Sequence, residues 1–130
     1  MYPDSAESYA RLVAAADRPA FAVHFDPVNL VASPQIYARN GDMIREFVNR
    51  LGPRIRSCHA KDIRLLEKLT VHLDEVRPGA GGLDYRAFLS SVARLHPDTP
   101  VMLEHLSSED DYDLAAAYLR EAAKAEKISL

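Results

Sequence analysis

Two carboxylates and one imidazole, on Asp26, His59 and Glu104, are the side chains whose types and spacing best suit chemistry. Each stands at or near the end of a short β-prone run, and ligands of parallel sheets gather at the carboxyl ends of the strands. Oxygen donors with one nitrogen suit Mn²⁺, Mg²⁺, Co²⁺ or Zn²⁺, whereas a structural zinc usually shows closely spaced cysteine pairs. The pattern therefore predicts a divalent metal site of the catalytic kind, with open coordination positions.

Each of the three residues also has an ordinary structural interpretation. Asp26 precedes Pro27 and could form a turn. His59 could be a hydrogen-bonded buried histidine, and Glu104 could pair with a nearby cation. Their joint occurrence at three equivalent strand ends favours one metal site over three separate structural roles.

The elements that must position these residues form a regular series. The sequence predicts strands over residues 21–26, 55–60 and 101–105. It predicts four helices. The first follows the capping residues Asp4 and Ser5 and ends near residue 16, and the second runs over residues 42–51. The third follows Asp84, and the fourth begins at Ser107 and Ser108. Residues 65–76 fit either an irregular excursion or a short hairpin. A helix followed by three strand–helix pairs predicts an α/β fold with parallel strands.

Length and composition narrow the class of protein. A chain of 130 residues with 48% hydrophobic content predicts one domain, residues 1–130, with a sizeable core. The formal charge is −3 and the sequence lacks a basic run, which argues against nucleic acid as a partner. The single cysteine, Cys58, suits packing and a reducing compartment such as the cytoplasm. The sequence lacks the features of a secretory signal and any apolar run of about 20 residues, so no membrane partner is expected.

Three short segments give the sequence a family resemblance. HFDPVN, SCHAKD and VMLEH resemble the last three strands of xylose-isomerase-like TIM barrels, the sugar isomerase and epimerase superfamily, and the resemblance covers nearly the whole chain. It implies that the chain is the C-terminal portion of a (β/α)8 barrel. Family members hold their metal with a Glu, an Asp, a His and a second Glu from strands five to eight, and the last three correspond to Asp26, His59 and Glu104.

The resemblance also implies a reaction. The expected substrate is a sugar or polyol ketone, whose proton transfer next to the carbonyl passes through an enediolate stabilised by the divalent metal. Glu104 would be both ligand and catalytic base. Arg77, in the segment VRPGAGGLDY, resembles a substrate-oxygen contact of the family, although it could instead be a solvent-facing loop arginine. Lys61 could contact a substrate oxygen or pair with Asp62.

Residues beside the predicted ligands receive supporting roles or none. His24 lies two residues before Asp26 on the same strand face, where it would support the site from beneath or lie in the interior with its hydrogen bonds satisfied. Apurinic endonucleases of the same superfamily have a histidine three residues after this aspartate, where Asn29 stands here. That difference argues for the sugar branch. The remaining histidines, His72, His96 and His105, are assigned no role.

The match to a complete barrel is partial. No residue of the sequence corresponds to the first glutamate ligand, because Glu7, the nearest carboxylate, fits a helix's first turn. A full barrel needs about 250 residues and eight strands. We therefore expect completion by a homo-oligomer or by a missing N-terminal half, and low activity for the chain alone. The alternatives are a non-catalytic metal-binding module and an oligomeric interaction module.

Overall fold

The computed structural model describes residues 2–130, which form five α-helices and five strands. The helices are α1 (Ala6–Ala16), α2 (Pro34–Ala38), α3 (Asn40–Leu51), α4 (Tyr85–Val92) and α5 (Glu109–Ala125). The strands are β1 (Val23–Phe25), β2 (Ile55–His59), β3 (Asp62–Leu66), β4 (His72–Val76) and β5 (Val101–Met102). None of the helices over residues 2–130 has the length and apolarity needed to cross a bilayer.

The strands form two separate sheets. Strands β1, β2 and β5 make a parallel sheet in the order β1-β2-β5, whereas β3 and β4 pair antiparallel as a hairpin. The predicted parallel α/β class is therefore confirmed, and the sheet within residues 2–130 is open rather than a closed barrel. Of the two interpretations of residues 65–76, the hairpin is correct. The sequence predicted four helices, whereas residues 2–130 contain five. The additional helix is the short α2, which Ser33 caps by accepting a hydrogen bond from the backbone N–H of Ile36 at 3.2 Å.

Local capping sets where the long helices begin. Ser5 and Ser8 form a reciprocal capping box at α1, in which the Ser5 side chain accepts from the Ser8 N–H at 3.2 Å. Asp84 at α4 and Ser108 at α5 each accept a hydrogen bond from the N–H three residues further on. These caps lie at the positions that the sequence predicts.

The core lies between the helices and one face of the parallel sheet. Phe25 of β1 stacks on Phe47 of α3 with ring centroids 4.5 Å apart, and it also contacts Phe88 of α4. Ile44 and Cys58 are fully buried in the same cluster. Cys58 is therefore a packing residue, as predicted. Burial of these side chains fixes β1 and β2 against the helices and so sets the direction of the strand ends.

The opposite face of the sheet is polar and open in this chain. His24 pairs in register with Ser57, and His59 pairs with Met102, which is 41% exposed. Regular strand alternation would place Ile55 on the same face as Ser57, but Ile55 is buried with the core. The reason is an irregularity between the first two register pairs of β1 and β2, where β2 contains one extra residue.

Candidate metal centre

The three predicted ligands come together at the carboxyl ends of the parallel strands. Asp26 follows β1 directly, His59 ends β2, and Glu104 lies two residues after β5. One candidate ligand atom from each residue lies within 4.8 Å of the other two. The Nδ1 atom of His59 lies 3.0 Å from Glu104 Oε1 and 3.4 Å from Asp26 Oδ2. The parallel sheet therefore places two carboxylates and one imidazole around a common point.

Asp26 forms the turn considered for it and also leaves one carboxylate oxygen at the cluster. Its Oδ1 atom accepts hydrogen bonds from the backbone N–H groups of Val28 at 3.1 Å and Asn29 at 3.4 Å. This turn fixes the carboxylate immediately after the strand. Its Oδ2 atom points to the cluster, where it meets His59 and Lys61. One oxygen thus forms the turn and the other remains available to a ligand.

A buried ammonium lies between the carboxylates. Lys61, whose side chain is 3% exposed, places Nζ 2.5 Å from Glu104 Oε1, 3.1 Å from Asp26 Oδ2 and 3.6 Å from Glu75 Oε2. The alternative pairing with Asp62 is wrong, because that carboxylate turns the other way and accepts backbone hydrogen bonds.

The charges of this group stabilise one another. Burial lowers the pKa of the Lys61 ammonium, but hydrogen bonds to Glu104 and Asp26 outweigh burial and raise that pKa above its ordinary value. In return, the hydrogen bond from Lys61 lowers the pKa of the Glu104 carboxyl. At neutral pH, Lys61 is therefore a cation and Glu104 an anion.

Glu75 and His105 extend the cluster and were missed from the sequence. His105 Nδ1 lies 3.1 Å from Glu75 Oε1 and 3.2 Å from Lys61 Nζ, and its Nε2 lies 3.6 Å from Glu104 Oε1. His105, which was assigned no role, therefore lies within contact distance of the cluster. The left-handed backbone of His105, with φ of 59°, turns the chain after Glu104. In the sequence, only the position of His105 directly after Glu104 could have indicated that His105 joins the cluster.

His24 and Asn29 flank the three ligands in different ways. The His24 ring packs edge-on against His59 with centroids 4.0 Å apart, and its Nδ1 is 2.7 Å from the Ser57 hydroxyl. The pKa of His24 is lowered, mainly because its neighbours remove part of the solvent around the ring and secondly because of the charge of His59. Its hydrogen bond is satisfied, but the interior location is wrong because His24 is exposed on the open face of the sheet. Asn29 contacts the site through its backbone N–H, while its side chain is exposed.

Arg77 lies beside the cluster rather than in it. Its Nε atom is 3.5 Å from Asp111 Oδ1, and Nη1 donates to the carbonyl of Pro78 at 3.2 Å. The side chain is 29% exposed, so Arg77 still faces solvent in part while it pairs with Asp111. Arg77 and Asp111 line a cavity of about 380 Å³ together with Glu75 and His105. The cavity lies beside the cluster, on the side where the β3–β4 hairpin contributes Glu75.

Comparison with known proteins agrees with this architecture. The family model for the xylose isomerase-like TIM barrel matches residues 1–122. The chain belongs to this family. The crystal structure of a xylose isomerase domain protein from Planctomyces limnophilus superposes with a TM-score of 0.71 at 24% identity, covering 93% of this chain and 42% of that one. This chain thus spans less than half the length of that protein. The comparison with curated proteins finds no match.

The donor set of this xylose isomerase-like chain fits a divalent cation. Asp26 and Glu104 offer carboxylate oxygens and His59 offers an imidazole nitrogen, a combination suited to Mn²⁺, Mg²⁺, Co²⁺ or Zn²⁺. The side chains of His59 and Glu104 are 17% and 31% exposed, so the cluster opens to solvent on one side. Non-protein ligands could therefore complete the coordination from the open face.

Proposed function

We propose that this chain provides three metal ligands and the catalytic base of a divalent-metal-dependent isomerase or epimerase that acts on a sugar or polyol ketone. The observation that supports this proposal most strongly is the convergence of Asp26, His59 and Glu104 at three parallel strand ends. Family membership over residues 1–122 supports the same class of reaction.

The proposed chemistry is proton transfer at the carbon next to a carbonyl. A divalent metal bound by these three side chains would supply positive charge that polarises the carbonyl. Glu104 is suited to take the proton, because its carboxylate is ionised at neutral pH and its side chain is partly exposed. Removal of that proton leaves an enediolate, which nearby cations stabilise.

The substrate would be positioned by the two cationic side chains near the cluster. Lys61 lies at the carboxylates themselves, and Arg77 lines the adjacent cavity of about 380 Å³. Both are suited to bind substrate oxygens as charged hydrogen-bond donors. His24 and the backbone of Asn29 would hold His59 and Asp26 in place from the sides.

Full turnover requires a carboxylate on the opposite side of the substrate carbon, and the fourth family ligand has no counterpart in this sequence. The sheet has open edges at β1 and β5. Another part of the barrel would cover these edges, either a preceding N-terminal segment or a second copy of the chain. Sedimentation of the chain as a monomer would exclude the second copy. The chain alone would have low activity.

The other expected properties follow from composition. The formal charge of −3 suits a small-molecule substrate better than nucleic acid. The buried, unpaired Cys58 suits the reducing conditions of the cytoplasm.

Solvent exchange tests the proposal with a partial reaction that needs one base. In D₂O with Mg²⁺, the chain should catalyse deuterium incorporation next to the carbonyl of D-fructose or dihydroxyacetone, followed by proton NMR. Glu104→Gln should slow this exchange by about a hundredfold, because the base is lost. Glu109→Gln is the matched control, since that glutamate is exposed in the first turn of α5. Equal exchange by the parent and Glu104→Gln would contradict the proposal.

A non-catalytic module is the second candidate function. The edges of the sheet, which are open within residues 2–130, favour it, because they suit assembly with another chain without turnover. Metal binding that depends on Glu104, combined with the absence of solvent exchange, would identify this candidate.

A further inference from the structure

Lys61 lies where a cation bound by the carboxylates would be expected. Its ammonium contacts Asp26 Oδ2 at 3.1 Å and Glu104 Oε1 at 2.5 Å, and both carboxylates belong to the candidate metal centre. We infer that Lys61 acts as an internal counter-ion that competes with the metal, and that metal binding transfers its ammonium to Glu75. This inference rests on the proposed metal site.

The charge balance explains why the ammonium must move. Asp26 and Glu104 together supply two negative charges, which a divalent cation neutralises completely. An ammonium that stayed on the same oxygens would lie a few ångström from the metal and repel it. The metal and Lys61 therefore cannot share these two carboxylates without loss of affinity.

Glu75 is placed to receive the displaced ammonium. Its Oε2 already lies 3.6 Å from Lys61 Nζ, while its Oε1 is held 3.1 Å from His105 Nδ1. Glu75 lies outside the set of ligand atoms that approach one another within 4.8 Å. It is accordingly a positioning residue that acts through Lys61, and it is not a fourth ligand.

The Lys61 side chain can move while its backbone stays in place. The hydroxyl of Tyr85 donates to the Lys61 carbonyl at 2.7 Å, and Tyr85 is itself buried in the core. The next residue, Asp62, is fixed by four backbone N–H groups. Rotation of the four-carbon stem of Lys61 is then sufficient to carry the ammonium from the strand ends towards the hairpin.

Affinity for Mn²⁺, measured by calorimetric titration, tests the competition. Lys61→Gln should bind Mn²⁺ about tenfold more tightly than the parent, because the competing charge is gone while a hydrogen-bond donor remains. Lys68→Gln, at an exposed lysine of the hairpin loop, should leave the affinity unchanged. Equal or weaker binding by Lys61→Gln would overturn the inference while the metal site itself still stood.

A double-mutant cycle tests the role of Glu75. Glu75→Gln should weaken Mn²⁺ binding by about fivefold in the parent and have no effect once Lys61 is replaced by glutamine. Glu67→Gln, at an exposed glutamate of the same hairpin, is the matched control. A loss that persists in the double variant would make Glu75 a direct ligand and overturn the inference. If neither the parent nor Lys61→Gln binds Mn²⁺, the proposed metal site and this inference both fail.

One measurement on the unaltered chain is independent of whether the variants fold. With ¹⁵N-labelled lysine, the Nζ resonance of Lys61 should shift on addition of Mg²⁺, whereas that of Lys68 should not. An unchanged Lys61 resonance at saturating Mg²⁺ would overturn the transfer.

Discussion

Two sites with buried or partly buried carboxylates differ in the groups that satisfy those carboxylates. The first is the turn held by Asp62, whose side chain is buried. Its Oδ1 accepts from the N–H groups of Ile63 and Leu83 at 2.8 and 2.9 Å. Its Oδ2 accepts from those of Gly79 and Gly81 at 3.0 and 3.1 Å. Four fixed backbone donors leave this carboxylate little capacity for another ligand.

The second site is the strand-end cluster of Asp26, His59 and Glu104, in which one lysine side chain is shared among the carboxylates. The lysine stem has four rotatable carbon–carbon bonds, and Glu104 is partly exposed. The cluster can therefore exchange its cation, whereas the Asp62 turn cannot exchange its backbone donors. A buried carboxylate whose two oxygens accept hydrogen bonds from backbone N–H groups therefore has a structural role. Carboxylates that share a side-chain cation able to move are instead suited to bind ligands.

The largest expected effect is on stability at the Asp62 turn. Asp62→Ala should lower the free energy of unfolding by about 4 kcal/mol, because four N–H groups lose their common acceptor in a buried place. Glu104→Ala should lower it by only about 1 kcal/mol, since that side chain is partly exposed and Asp26 and Glu75 still pair with the Lys61 ammonium. Chemical denaturation measures both. Similar losses in the two variants would remove the distinction between the sites.

Both sites were only partly predictable from the sequence. The strand ends and β alternation located Asp26, His59 and Glu104, and local capping chemistry located the starts at Ser5 and Ser108. These features depend on nearby residues, which a sequence displays directly.

Long-range contacts could not be predicted in the same way. Glu75 reaches Lys61 only because the β3–β4 hairpin folds back over the strand ends, and His105 meets Glu75 across 30 residues of sequence. The pairing of Lys61 with Asp62 was suggested by their adjacency, but successive side chains of an extended chain point in opposite directions. The short α2 was missed because its few residues offer little periodicity.

A smaller loss of stability is expected within the turn itself. Gly79 has a φ of +88°, and a Cβ added there would lie 2.8 Å from the ring of Tyr118. Gly79→Ala should therefore lower the free energy of unfolding by about 2 kcal/mol. At Gly52 the nearest contact of an added Cβ, to Leu95, is 3.4 Å, so Gly52→Ala is a milder control. Equal thermal melting of the Gly79→Ala variant and the parent would show that the turn is not rigid.

The smallest effect concerns Cys58 on β2, the strand that ends in His59 and leads into the Asp62 turn. Burial raises the pKa of the Cys58 thiol from 9.0 to about 12. Between these values the unfolded chain loses the proton and the folded chain keeps it, so stability falls as pH rises. The free energy of unfolding should be about 1 kcal/mol lower at pH 10 than at pH 7 from this residue. Cys58→Ala should remove that part of the pH dependence, and an unchanged dependence would contradict the burial.

The most direct test of the strand-end cluster is the binding of Mn²⁺ to the parent chain and to two glutamine variants, measured by calorimetric titration or electron paramagnetic resonance. The parent and Glu109→Gln should bind one ion with the same affinity, and Glu104→Gln should bind at least about tenfold more weakly, because one of three ligands is lost. If Glu104→Gln retains the affinity of the parent, or if neither the parent nor Lys61→Gln binds Mn²⁺, Asp26, His59 and Glu104 do not form a metal site.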